Sequence, residues 1–138
     1  MENQPDIHFT IDFDGNWYGM DGKEVDGASL YFLSQSLRRD NDGYFIGLGF
    51  GPVKLVVEDV PFVIREIQLS EERGERFLEL TISDDTKERL IPETLMKKGE
   101  HYYCMVREGN IPARFAKDTA RELEKYLTVE GDDIYLTL

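Results

Sequence analysis

The sequence is poor in the residues that build disulfides, metal centres and polyanion-binding surfaces. It has one cysteine and two histidines in 138 residues, so neither an intramolecular disulfide nor a multi-cysteine zinc site can form. Its 16 Lys and Arg residues are outnumbered by 28 Asp and Glu residues, which gives a net charge of -12. Such a surface repels a polyphosphate backbone, which argues against a nucleic-acid polymer as partner but not against a small anion in one pocket.

Long hydrophobic runs and a targeting signal are absent as well. No run approaches the roughly 18 apolar residues that a membrane helix needs, and residues 1–6 lack the basic start and apolar core of a signal peptide. These absences predict a cytoplasmic protein without membrane association. The hydrophobic share of 41% is too high for a disordered acidic tail, and the length suits one domain or two small lobes.

The first half of the chain combines short strands, glycine turns and one helix. Asp26 is predicted to cap a helix that ends near Arg38, so that Arg38 and Arg39 occupy its last turn, where the helix dipole favours cations. Strand-forming residues and turn signals predict five strands around this helix, over residues 8–13, 17–18, 44–48, 53–58 and 62–69.

The second half has a similar make-up. A helix is predicted over residues 117–127, with Leu123 on its apolar stripe, and strands are predicted over residues 76–82, 88–91, 101–107 and 134–138. Two helices among many sequential strands predict an α+β fold of mainly antiparallel strands, without βαβ alternation. We expect two similar lobes, residues 1–69 and 70–138, packed as one compact unit.

The two ends of the chain share a plan that suggests an internal duplication. Residues 8–16 and 102–110 each read as a strand followed by a glycine turn. The identities are few, so chance recurrence of a strand–turn–helix–strand unit is the alternative. A seam between two copies would be a natural place for a ligand. The positions that line up further on are Leu33, Leu37, Asp42 and Leu48 with Leu123, Leu127, Asp132 and Leu138.

Four segments, taken in order, resemble a known bacterial family, that of domain of unknown function 1285. The most specific is Val57-Glu58-Asp59-Val60-Pro61-Phe62, where Val60 replaces the usual alanine. Together the segments span nearly the whole chain, although residues 47–52 replace a polar stretch of the family. The other three segments are Asp14-Gly15-Asn16-Trp17-Tyr18, residues 28–39, and Val106-Arg107 followed by Ile111 and Ala113.

The resemblance implies more about architecture than about chemistry. It implies a two-lobed, duplicated α+β fold whose C-terminal lobe is superficially similar to pleckstrin-homology domains. It also implies a ligand site at the lobe interface, with a nucleotide-like molecule as the expected ligand, and a role in signalling. The family lends no enzymatic activity.

Arginine and carboxylate pairs are the first candidates for such a ligand site. Arg38 and Arg39 are either solvated cations or an anion-binding pair, since guanidinium groups match phosphate and carboxylate geometry. Glu58 and Asp59 shortly precede a proline, so they either end a strand at an exposed turn, clamp an arginine, or contact the ligand. Their adjacency argues against a catalytic pair, because neighbours on a strand point to opposite faces.

Trp17 and Arg107 complete the predicted site. Trp17 either packs into the core or offers an aromatic shelf to a flat ligand. Arg107 is predicted to help neutralise an anion. The full set of predicted ligand-binding residues is Trp17, Arg38, Arg39, Glu58, Asp59 and Arg107.

Other patterns favour plain structural roles. Residues 47–51 lack the Gly-Lys-Ser/Thr ending of a P-loop and favour a bulged strand or a hairpin. Cys104 lies among apolar and aromatic residues and favours a buried site over a nucleophile. Residues 40–43 resemble the start of a calcium loop, but Gly51 stands where the distal glutamate belongs, so a turn is favoured. No metal ligands and no catalytic residues are predicted.

The sequence therefore predicts a cytoplasmic module that binds a small anionic, nucleotide-like ligand without catalysis, in a regulatory role. The alternative is a protein-interaction module whose acidic surface binds a basic partner. An enzyme is the least favoured class, because no nucleophile, base and oxyanion-stabilising group can be assigned together. The residues indicate neither a cofactor nor an oligomeric state.

Overall fold

The computed structural model describes residues 8–49 and 51–138, and its many strands and two helices form an α+β fold, as predicted. The chain divides into two compact units, Met1–Asp59 and Val60–Leu138. The sequence places a boundary at residue 69, whereas one long strand, Phe62–Glu72, runs through that position. This strand turns only at Arg73-Gly74, where both residues have positive φ, 54° and 79°.

The first unit is built on one mixed sheet of five strands. Its helix, α1 (Gly27–Ser34), lies between the second and third strands in the sequence. The strands are β1 (His8–Ile11), β2 (Trp17–Tyr18), β3 (Leu37–Asp40), β4 (Gly43–Leu48) and β5 (Gly51–Val57). They lie in the order β2-β1-β5-β4-β3, with β1 and β5 parallel and the other pairs of this sheet antiparallel.

One face of this sheet carries the core of the first unit. Side chains alternate along each strand, so the register partners Ile46 and Val53 share this face. The opposite face carries Arg38, Phe45 and Lys54, which are register partners on β3, β4 and β5. The core residues are each exposed by 6% or less: Ile11, Trp17, Leu37, Ile46, Val53 and Leu55.

The first helix is shorter than the sequence predicts. Asp26 caps its N-terminus as expected, since its carboxylate accepts a backbone N–H of the first turn at 2.9 Å. The prediction that the helix reaches Arg38 is wrong: the helix ends at Ser34, and Arg38 and Arg39 lie in β3. The turn at Asn41-Asp42 closes a β3–β4 hairpin, and this pairing satisfies the backbone groups that a longer helix would have satisfied.

The second unit holds a six-stranded mixed sheet and a separate hairpin. It also contains a short 3₁₀ turn, Pro92–Thr94. The sheet strands are β6 (Phe62–Glu72), β7 (Glu75–Ile82), β8 (Lys87–Arg89), β9 (Met96–Lys98), β10 (His101–Val106) and β11 (Ile111–Phe115), in the order β8-β7-β6-β11-β10-β9. Here β6 and β11 run parallel. The helix α2 (Lys117–Glu124) and the hairpin strands β12 (Leu127–Glu130) and β13 (Asp133–Leu136) follow.

The two helices differ in how they pack. α2 is amphipathic: Leu123 is fully buried, and the Thr119 hydroxyl donates to the Arg65 carbonyl of β6 at 2.6 Å. α1 has no charged residue, and its Tyr31 and Phe32 side chains remain 54% and 64% exposed. Each helix has only eight residues. Within the described part of the chain, no helix combines the length and apolar character needed to span a bilayer.

Candidate functional site

The turn between β1 and β2 is held by one carboxylate. Asp12 Oδ1 accepts the backbone N–H groups of Asp14 and Asn16, both at 2.9 Å, and Asp12 Oδ2 accepts the Tyr18 hydroxyl at 3.1 Å. Gly15 has a φ of 85°, a conformation that glycine adopts without steric cost. Within residues 14–18, Gly15 and Tyr18 therefore help to hold the turn in this conformation.

This carboxylate makes the stability of the first unit depend on pH. Burial raises the pKa of Asp12, but hydrogen bonds from Asn16, Tyr18 and Asp14 outweigh burial and bring the pKa below 3.8, its ordinary value. Because the pKa of Asp12 is lower in the folded state than in the unfolded state, the ionised carboxylate stabilises the fold at pH values above its unfolded-state pKa. This stabilisation is lost as the pH falls through the folded-state pKa. We expect the free energy of unfolding to drop in that acidic range, and Asp12→Asn to flatten the drop.

Denaturant unfolding followed by fluorescence measures this effect, because Trp17 is the sole tryptophan and lies beside this turn. The wild type and Asp12→Asn are compared from neutral pH down through 3.8. Parallel pH profiles for the two proteins would show that Asp12 does not carry the dependence.

Trp17 lies in the core of the first unit. Its side chain is 1% exposed, and its ring centroid is 6.4 Å from that of Phe9 at an angle of 49°. Packing of this kind is the first of the two alternatives for Trp17. A stacking role would require the indole to become uncovered.

Arg38 and Arg39 lie next to each other in β3 but do not form a pair. Arg38 Nη1 donates to the carbonyls of Leu37 at 3.0 Å and Gln35 at 3.4 Å. Because Gln35 is the C-cap of α1, this guanidinium sits at the C-terminal end of the helix, where a cation is favoured. Arg39 points to the other face, with its guanidinium carbon 5.9 Å from the Tyr44 ring centroid. Arg38 thus lies at the end of α1 and Arg39 beside Tyr44, on opposite faces of the sheet.

Glu58 and Asp59 lie at the end of the first unit. The backbone N–H of Glu58 donates to the Ile11 carbonyl at 3.0 Å, which continues the pairing of β5 with β1. The Glu58 side chain is exposed and that of Asp59 is half-buried. Of the predicted site residues, these two belong to the first unit together with Trp17, Arg38 and Arg39, whereas Arg107 belongs to the second.

Arg107 is the centre of a polar cluster in the second unit. Its guanidinium donates to the carboxylates of Asp84 and Glu88, to the latter at 2.9 Å, and to the Thr86 hydroxyl at 3.2 Å. It also lies over the Phe62 ring, 4.5 Å from the centroid. The Asp84 side chain is fully buried. Two carboxylates therefore already neutralise Arg107, and Phe62 and Arg107, from two of the family-like segments, meet in this cluster.

A groove lies beside the β3–β4 turn, and sequence reasoning missed it. Its volume of about 420 Å³ falls within the range of about 300–1,000 Å³ that small-molecule sites occupy. All of its lining residues belong to the first unit. They come from the end of β3, the β3–β4 turn, β4 and β5: Asp40, Asp42, Gly43, Tyr44, Phe45, Pro52, Lys54 and Leu55. We refer to it as the hairpin groove.

Aromatic, cationic and acidic groups meet in the hairpin groove. Phe45 and Lys54 are register partners on neighbouring strands, so their side chains lie side by side on one face. Within the described residues, Lys54 forms no salt bridge, although Asp40 and Asp42 line the same groove at the turn. The groove can therefore hold a flat apolar body, one anionic group and hydrogen-bond donors.

Tyr44 lines the groove, but as the neighbour of Phe45 in β4 its side chain lies on the opposite face of the sheet from Phe45 and Lys54. Burial raises the pKa of Tyr44, the nearby Arg39 lowers it in part, and the Asp59 carboxylate raises it further. The phenol is consequently protonated at neutral pH. Strand alternation alone could not reveal this site, because Phe45 and Lys54 become neighbours only through the β4–β5 register.

Other side chains behave as structural residues. Cys104 is 1% exposed, which confirms the prediction of a buried site, and burial, with a contribution from Glu88, raises the pKa of its thiol to about 12. The hairpin predicted at residues 47–51 is confirmed by the pairing of Leu48 with Gly51, and Phe50 lies outside the described residues. In the part of the chain that the structure describes, no three or more His, Cys, Asp or Glu residues are grouped so as to hold a metal ion.

Comparison with solved structures identifies the fold. One match is a DUF1285 family protein from Shewanella baltica, with a TM-score of 0.73, 17% identity, and coverage of 85% of this chain and 90% of that one. Another is a DUF1285 family protein from Silicibacter pomeroyi, with a TM-score of 0.76, 21% identity, and coverage of 97% and 78%. No family model and no curated protein matches the chain. At the level of the fold, these structures confirm the resemblance that the motifs indicated.

Proposed function

We propose that this chain, whose fold is that of DUF1285 family proteins, is a cytoplasmic, non-enzymatic module that binds a nucleotide-like ligand in the hairpin groove and acts in regulation. The observation that carries the proposal is the pairing of Phe45 with Lys54 in a groove of about 420 Å³. An aromatic face beside a cation suits a base attached to a phosphate.

Each part of a mononucleotide has a matching group in the groove. The base stacks on Phe45, and the phosphate lies by Lys54, which has no carboxylate partner among the described residues. The ribose hydroxyls or the amino groups of the base donate to Asp40 or Asp42, which would repel a phosphate placed at their end. The ligand therefore binds in one orientation, with its phosphate toward Lys54 and its hydrogen-bond donors toward Asp40 or Asp42.

This proposal moves the ligand away from the lobe interface that the resemblance implies. Trp17 is buried in the core and Arg107 is neutralised by two carboxylates, so neither supports a ligand as well as the hairpin groove does. Arg38 is the register partner of Phe45 but is not part of the groove lining, so its ligand contact stays a prediction. It stays a prediction that Arg39, Glu58 and Asp59 contact a ligand. The alternative function, binding of a basic protein partner, also stays a prediction.

We also propose that the two units arose by duplication. Each contains an eight-residue helix followed by a hairpin with a two-residue turn, α1-β3-β4 in the first unit and α2-β12-β13 in the second. The helices begin at Gly27 and Lys117 and the hairpins at Leu37 and Leu127, so both features recur at the same spacing. The likeness of the second unit to pleckstrin-homology domains stays a prediction.

The binding proposal is tested by titrating the protein with the four ribonucleoside 5′-monophosphates, the corresponding nucleosides, and inorganic phosphate. We expect a monophosphate to bind more tightly than its nucleoside or phosphate alone. Lys54→Gln should weaken that monophosphate about tenfold, because a charge-assisted contact is lost, and should leave the nucleoside unaffected. Calorimetry measures the affinities.

Lys23→Gln is the matched control, since Lys23 is exposed in the same unit and lies outside the groove lining. It should leave every affinity unchanged. If no monophosphate binds, or if the two lysine variants behave alike, the groove is not the site of a nucleotide-like ligand.

A further inference from the structure

The surface of α1 is apolar at its centre and oppositely charged at its two ends. Residues 27–34 carry no charge, and Tyr31 and Phe32 are 54% and 64% exposed. The N-cap Asp26 places a carboxylate at one end, and the Arg38 guanidinium lies at the other, bonded to the Gln35 carbonyl at 3.4 Å. Two large aromatic side chains are therefore exposed side by side on an uncharged helix, between an acidic and a basic end.

We propose that two copies of this chain associate through α1 in an antiparallel, two-fold contact. In this arrangement Asp26 of one protomer faces the partner's Arg38, and the reverse contact forms by symmetry. Tyr31 and Phe32 lie near the middle of the eight-residue helix, so the aromatic rings meet close to the two-fold axis. The antiparallel helix dipoles also attract each other.

Charge favours a second copy over other occupants of this surface. Each copy carries a net charge of -12, so two copies repel overall, and this repulsion is smallest where the facing surfaces are uncharged, as along α1. A uniformly basic helix would face the Arg38 cation at one end, and an anionic lipid surface would be repelled by the acidic chain. The α1 surface is complementary to itself because its acidic and basic ends exchange places in the antiparallel pair.

The contact is expected to be weak. A helix of eight residues buries less than the about 1,200 Å² that marks stable interfaces. We therefore expect a dimer that forms on the order of 10–100 µM and dissociates on dilution. This inference does not depend on a ligand in the hairpin groove.

Sedimentation velocity over a concentration series tests the proposal. The wild type should move from 16.0 kDa toward twice that mass, and Phe32→Asp should raise the dissociation constant at least about tenfold, because it places a charge near the axis. Tyr135→Asp is the matched control, since Tyr135 is similarly exposed, at 50%, but lies in β13. Circular dichroism verifies that each variant is folded.

A second pair of variants tests the antiparallel geometry. Arg38→Glu should weaken association by opposing two acids, and adding Asp26→Asn should restore part of it, because asparagine keeps the N-cap while removing the charge. A wild type that stays monomeric throughout, or association that Phe32→Asp leaves intact, overturns the proposal. Failure of Asp26→Asn to relieve Arg38→Glu overturns the antiparallel arrangement.

Discussion

Replacing Trp17 with alanine is expected to lower the free energy of unfolding of the first unit by about 3–5 kcal/mol. The side chain is 1% exposed and packs beside Phe9, so its removal leaves a large cavity in the core of the first unit. Urea unfolding followed by far-ultraviolet circular dichroism measures the change, since the variant lacks tryptophan.

A matched control and a conservative variant separate packing from ligand binding at Trp17. Met20→Ala removes an apolar side chain that is 51% exposed in the same unit, and we expect it to cost about 0.5 kcal/mol or less. Trp17→Phe should keep most of the stability and all of the nucleotide affinity. If Trp17→Ala is as mild as Met20→Ala while Trp17→Phe abolishes binding, the tryptophan is a ligand contact and the core interpretation is wrong.

Arg107→Met is expected to lower the free energy of unfolding of the second unit by about 3 kcal/mol, because removing one partner of a buried pair leaves the other charge uncompensated. The charge that loses its cationic partner is that of the Asp84 carboxylate, whose side chain is fully buried. Methionine keeps much of the apolar contact with Phe62, so the loss reports mainly on the charge. Denaturant unfolding measures it.

Arg89→Met provides the comparison. Arg89 also pairs with a carboxylate, Glu72, and also lies over an aromatic ring, that of Phe77 at 3.8 Å. Its pair is exposed, however, with 49% and 58% of the two side chains accessible, so we expect a loss of about 1 kcal/mol or less. Equal losses for the two variants would mean that burial of Asp84 does not govern the effect.

Local sequence patterns predicted the features that depend on residues close together in the chain, namely single strands and a helix cap. The strand over residues 76–82 followed from alternation, the strand over residues 44–48 followed from apolar residues broken by glycines, and the cap at Asp26 followed from its side chain. Leu37 was assigned to the apolar stripe of the first helix, although the same residue equally suits the core-facing side of a strand. Only pairing of β3 with β4 decides between the two.

Long-range pairing accounts for most of what the sequence did not reveal. Pro112 lies within β11, between β6 and β10, although proline is normally absent from inner strands, so that strand was missed. The parallel pairs β1–β5 and β6–β11 have no local signature. The hairpin groove depends on register in the same way, since Phe45 and Lys54 are nine residues apart in sequence and adjacent only across β4 and β5.

The binding account is tested most directly by mapping the bound nucleotide on the protein. Amide chemical shifts of the isotope-labelled chain are recorded during titration with the ribonucleoside 5′-monophosphate that binds best. We predict that the largest changes fall on Asp42, Tyr44, Phe45 and Lys54, which line the hairpin groove, and that Lys54→Gln reduces them. Changes centred on Arg107 and Phe62 instead, or no change at saturating nucleotide, would contradict the account.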